Sequence, residues 1–102
     1  MSRPKCTVRL LRAAEDDFTE IVMYLAADNP PAAEALAATI EKSLNLLSHN
    51  PRLGRIPKED DLVHLGYRYL IVQNYLIFYT IEEQTIFVHR IIHGARDYSG
   101  LF

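Results

Sequence analysis

The stretch LGYRYLIVQNYLIFYTIEEQTIFVHRIIH, residues 65–93, decides the fold. It is dense in Tyr, Ile, Val and Phe, and its longest polar breaks are Gln73-Asn74 and Glu82-Glu83-Gln84. Aromatic and β-branched residues fit a pleated surface, and a two-residue break containing Asn suits a tight hairpin turn because Asn tolerates positive φ. Strands are therefore expected over 65–72, 75–81 and 85–93, joined by short turns into an antiparallel meander. A sheet this apolar needs a cover on at least one face.

The cover lies upstream. TVRLL, residues 7–11, alternates as a short strand. From Arg12 the period lengthens, with Phe18, Ile21, Val22 and Leu25 at helical spacing. Glu15, Asp16 and Asp17 suit a first helical turn through the dipole. ADNPPAAE, residues 27–34, ends this helix and starts another, with Asn29 as N-cap and the prolines in the first turn. The second helix runs to about Ser48 and carries Ala33, Leu36, Ile40, Leu44 and Leu47 on one face. So short a joint makes an antiparallel helical hairpin. HNPRLGR, residues 49–55, breaks the chain, and KEDDL, residues 58–62, reads as a solvated turn. The expectation is one α+β domain over 1–102 in the order β-α-α-β-β-β, with the helical hairpin packed on one face of the meander.

Composition narrows the function. The chain has 102 residues, is 49% hydrophobic and 24% charged, and carries a formal charge of −2. Its pI is about 6.0, whereas a protein that holds RNA mainly by neutralising phosphates is usually far more basic. The run over 67–81 is broken by Arg68, Gln73 and Asn74, which argues against a membrane span. MSRPKCTVRLLR lacks the apolar centre of a signal peptide, and the single cysteine, Cys6, has no internal partner. These features lead us to expect a cytoplasmic protein with no membrane partner and no cofactor.

The polar residues at the end of the last strand carry the chemistry. His89 and His93 are four apart, so on a regular strand they share a face about 13 Å apart, too far for one metal ion. No metal is expected. His93 alone suits a general acid or base, or a cap on a strand-end carbonyl. Arg90, inside an apolar strand, calls for a carboxylate partner or an open face, and the first is preferred. Arg96 follows Gly94 and leaves the sheet, so it either pairs with Asp97 or reaches a target from a loop. Arg52 and Arg55 read as solvated loop residues. Tyr67, Tyr69, Tyr75 and Tyr79 read as sheet and core, with any on an uncovered face free to meet a partner.

Taken together and in order, AAEDDFTEIVMYLAADNPPAAE, LLSHNPRLGR, YLIFYTI and HRIIHGARDY resemble the RelE/ParE-type toxins of type II toxin–antitoxin pairs, over residues 7–98. The resemblance implies growth arrest, a role in plasmid stabilisation, and a cognate antitoxin that holds the toxin silent in a hetero-oligomer. It leaves the target open. ParE-like members inhibit DNA gyrase and are not nucleases. RelE-like members cut mRNA on the ribosome, using basic residues on the sheet with a late Arg and Tyr. Carried over on that reading, the catalytic set here is Arg68, His93, Arg96 and Tyr98, although Phe102 aligns better than Tyr98 with the terminal tyrosine. On the other reading, Arg90 and Arg96 contact the target. Leu70 stands where a second strand lysine is common, and Leu76 where an arginine supports the phosphate. Losing one preorganised phosphate contact costs roughly 3–4 kcal/mol of transition-state stabilisation. Together with the acidic pI, these departures favour the ParE-like mode. An inert relative that serves only as a binding module is the third reading.

Overall fold

A computed structural model describes residues 5–98 and 100–102. The elements are β1 (Thr7–Leu10), α1 (Arg12–Ala26), α2 (Pro30–His49), α3 (Asp60–His64), β2 (Arg68–Val72), β3 (Tyr75–Glu82) and β4 (Thr85–His93). The meander is present as expected, and the sheet order is β1-β4-β3-β2. β1 adds to it in parallel, Thr7 opposite Thr85 and Leu10 opposite Val88, so the sheet is mixed.

The helical hairpin forms where the sequence places it. Asn29 Oδ1 accepts the Ala32 N–H at 3.2 Å, and Pro30 and Pro31 open α2 without losing an intrahelical bond. Phe18, Ile21 and Leu25 of α1 and Leu36, Ile40, Leu44 and Leu47 of α2 pack onto Ile77, Tyr79, Ile86, Val88 and Ile91 of the sheet. Both meander turns have two residues. Their left-handed position is the first of each pair, Gln73 (φ 54) and Glu83 (φ 57), rather than Asn74.

Two expectations are corrected on the other face. Residues 60–64 are a helix, not a solvated turn, and β2 therefore starts at Arg68 rather than at 65. Gly66 (φ 82) ends α3: its N–H bonds the Val63 carbonyl, and the Tyr67 N–H bonds the Leu62 carbonyl. That pair of C-terminal bonds brings Leu62 against Tyr67, a contact that commonly accompanies such an ending. The second face is consequently not open. Leu62, Phe78 and Ile92 are buried there, with Tyr67, Tyr69, Leu76, Tyr98 and Leu101 packed around them.

β4 also carries an irregularity. Phe78 pairs with Arg90 but Tyr79 pairs with Val88, which leaves His89 as an extra residue in β4. The side-chain alternation slips by one at this bulge. His93 therefore pairs with helix-facing Tyr75, while His89 contacts Tyr67 on the opposite face, so the two histidines do not share a face.

Candidate functional site

β1 ends opposite Val88, and beyond that point the edge of β4 meets α1. Asp17 fills the junction. Its carboxylate accepts from Arg90 Nε at 2.7 Å, from Arg90 Nη2 at 2.9 Å and from the Ile91 backbone N–H at 3.0 Å. The bidentate bond holds the Arg90 guanidinium even more firmly protonated than usual. Arg90 thus has the carboxylate partner that its place in an apolar strand called for.

Next to this ion pair, α1 and the end of β4 enclose a cleft of about 370 Å³. Its apolar wall includes Ile21, Tyr75 and Ile91, and its rim carries Glu20, His93 and Arg96. Tyr24, also at the rim, is 87% exposed. The Arg96 side chain is exposed and makes no ion pair among the described residues, so it is available to a partner.

The other proposed site residues are engaged elsewhere. Arg68 Nη1 donates to the Gly54 carbonyl at 3.1 Å and helps hold the loop after α2. Tyr79 fixes the same loop, donating to the Pro51 carbonyl at 2.8 Å and accepting the Gly54 N–H at 2.9 Å. Burial raises the Tyr79 phenol, while the Gly54 bond and the Arg68 charge pull it back. Tyr98 donates to Glu59 Oε1 at 2.8 Å, and its ring packs at a tilt against Phe78, 4.9 Å between centroids. Burial and then Glu59 push the Tyr98 phenol up to about 12, so it is a poor proton donor or acceptor at neutral pH.

Four residues proposed for RNA cleavage therefore do not form one centre. Arg68 is opposite Tyr79 and His93 opposite Tyr75, on the two strands that flank β3. That separates them by about 13 Å along the sheet and about 10 Å across it. Only His93 and Arg96 share a cleft.

Sequence similarity gives this geometry a family. Residues 8–98 match the family described as the ParE toxin of the type II toxin–antitoxin system parDE. The chain belongs to the ParE toxin family. Among solved structures, this ParE-family chain is similar to one of the chromosomal ParDE TA system from P. aeruginosa, with a TM-score of 0.72 at 18% identity over 87% of this chain and 96% of that one. It is also similar to a chain of the toxin–antitoxin complex RelBE2 from Mycobacterium tuberculosis, with a TM-score of 0.63 at 26% identity over 88% of this chain and 99% of that one. No curated protein is similar enough in sequence to count as a relative. The chain is a toxin of the type II toxin–antitoxin class.

Sequence reasoning missed the partners of two polar residues, Asp17 at the cleft and His89 on the opposite face. Asp17 read only as a helix-start carboxylate, yet it locks α1 to β4 from 73 positions away. His89 is held at both ring nitrogens, by the Tyr67 hydroxyl at 3.0 Å and the Thr80 hydroxyl at 2.8 Å. Burial lowers its pKa, with Glu82 opposing in part. The only local signal for either was a polar side chain interrupting an apolar period. Among the described residues no group of three or more His, Cys, Asp or Glu converges as a metal site, and no helix is long and apolar enough to cross a membrane.

Proposed function

We propose that this toxin arrests growth in the cytoplasm by ParE-like inhibition of DNA gyrase, without cutting RNA, and that a cognate antitoxin neutralises it. The observation that carries this reading is the dispersal of Arg68, His93 and Tyr98. General acid–base cleavage needs its proton donor, proton acceptor and phosphate contact within hydrogen-bond reach of one phosphate, and two of these side chains are committed to Gly54 and Glu59. The acidic pI and the leucines at 70 and 76 point the same way. Arg96 remains the exposed cation over the α1–β4 cleft and is the contact residue of this reading, while Arg90 supports it from within the Asp17 ion pair.

An antitoxin partner is supported by the two similar structures, one described as belonging to a ParDE TA system and the other as a toxin–antitoxin complex. It is also supported by the outer edge of β1, which pairs with no further strand among the described residues and borders a groove of about 520 Å³ lined by Val8, Leu10 and Leu44 together with Lys5, Glu41 and Asn45. An unpaired strand edge beside an apolar groove accepts an extended segment.

The test is a gyrase supercoiling assay run beside a ribosome-bound mRNA cleavage assay, with the parent and Arg96→Ala. Supercoiling falls, the message stays intact, and Arg96→Ala is less potent while melting near the parent temperature. Cleaved message with unaffected gyrase replaces this reading with the nuclease one. No effect in either assay, and no growth arrest on expression, leaves an inert binding module.

A further inference from the structure

The turn that carries Arg96 is built around one imidazole. His93 Nδ1 accepts the Ala95 N–H at 3.1 Å. The His93 carbonyl accepts the Arg96 N–H at 2.9 Å, and the Gly94 N–H donates to the Asn74 carbonyl at 2.7 Å. The imidazole itself is steadied by Tyr75, edge to face at 5.5 Å. A side-chain acceptor that takes the N–H two residues later is the geometry of an Asx-turn, usually supplied by Asn or Asp. Imidazole differs from Asn in one respect that matters here. Its acceptor lone pair is also where the ring takes up its second proton. Once Nδ1 is protonated, the Ala95 N–H faces a donor and the turn loses its staple.

We propose that His93 is a positioning residue that holds Arg96 over the α1–β4 cleft while its ring is neutral, which makes contacts through Arg96 weaken as pH falls. The proposal rests on the reading of Arg96 as a contact residue. The ionisable groups that line the cleft with His93 are Asp17, Glu20 and Tyr24 from α1, Tyr75 from β3, whose ring meets the imidazole, and Arg96 on the same turn. Asp17 is committed to Arg90.

The same geometry separates positioning from proton transfer. Asn reproduces the acceptor but cannot serve as a general acid or base. Three proteins are therefore compared, the parent, His93→Ala and His93→Asn, at pH about 8 and about 5.5, on either side of the ordinary histidine range. The first readout is amide hydrogen exchange at Ala95 and Arg96, corrected for the intrinsic pH effect, which does not depend on any target. In the parent, protection at Ala95 falls by roughly five- to tenfold on acidification, as expected for one hydrogen bond of ordinary strength. His93→Ala is unprotected at both pH values, and His93→Asn is protected at both. The second readout is gyrase inhibition, in which His93→Asn recovers most of what His93→Ala loses. Equal Ala95 protection in the parent and His93→Ala at pH about 8 overturns the proposal. So does a His93→Asn protein that regains protection but not inhibition, because the imidazole would then act by something other than its bond to Ala95. Exchange that follows the expected pattern while gyrase ignores all three proteins leaves the positioning role standing and removes the gyrase reading.

Discussion

Replacing Asp17 with alanine strips one side chain of three hydrogen bonds at once. The Arg90 guanidinium loses its partners at 2.7 and 2.9 Å, and the Ile91 N–H loses its carboxylate at 3.0 Å. Water compensates poorly, because the Arg90 and Asp17 side chains are only 18% and 11% exposed. Breaking a buried ion pair from one side costs about 3–5 kcal/mol, chiefly because a charge is left without a partner. The residual exposure of Arg90 favours the lower half of that range, so about 3–4 kcal/mol is expected. A domain of this size has a total stability of roughly 5–15 kcal/mol, and each kcal/mol moves Tm by about 4–8 °C. Asp17→Ala should therefore melt on the order of 15–25 °C below the parent and shift its urea midpoint with little change in slope. Replacing both partners, Asp17→Leu with Arg90→Met, removes the stranded charge and should recover most of the loss, since apolar replacements of buried pairs are often neutral or stabilising. An Asp17→Ala protein within 1 kcal/mol of the parent would refute the reasoning. A double variant no better than the single would show that the cost lies in packing and not in charge.

Three further outcomes follow from other contacts. Burial holds the His89 pKa below its ordinary value, so the unfolded chain takes up that proton more readily than the folded one. This contribution to stability is fully present above about pH 6.5 and declines as pH falls towards the folded-state pKa; His89→Gln should flatten that part of the profile in urea titrations from pH about 7.5 to about 5. Tyr98→Phe removes the bond to Glu59 but keeps the ring on Phe78. It should cost about 1 kcal/mol, speed amide exchange at Leu101, and leave target inhibition intact; loss of inhibition without extra exchange would return Tyr98 to a direct role. Glu83→Gly relieves a left-handed non-glycine residue at φ 57 and should stabilise the β3–β4 hairpin by up to about 1 kcal/mol in thermal melts, with a destabilised variant counting against strain at that turn.

What could be read from the sequence was whatever a local pattern encodes. The apolar stripes of α1 and α2, the Asn29 cap with its two prolines, and the two breaks in the meander each lie within a few residues, where spacing and turn chemistry act directly. What escaped was set by distant partners. No local rule joins Asp17 to Arg90 across 73 positions, or ties the Gly54 N–H to the Tyr79 hydroxyl across 25. The extra residue at His89 changed which face His93 occupies, and such a bulge has no composition signal. The five-residue α3 carries too few turns for a helical period to emerge, although Gly66 marked its end. The candidate site was legible as a list of polar residues near 90–98, but not as a geometry. Only the folded chain separates Arg68 and Tyr98, fastened to Gly54 and Glu59, from Arg96, which faces the cleft.

The parallel seat of β1 beside β4 also governs when the molecule comes into being. Thr7 waits for Thr85, and the sheet places this final strand between β1 and β3. During synthesis the helical hairpin emerges early, but the sheet it lies on lacks its central link between β1 and β3 until the last strand has left the ribosome. Contacts of such long range slow folding, because the chain must close a large loop before they form. A ribosome that stalls before residue 85 releases a chain with neither the Asp17 lock nor the Arg96 turn. Incomplete synthesis therefore yields a chain without its finished fold, and in the interval between starting and finishing the chain the apolar faces of α1 and α2 lack part of the sheet that covers them.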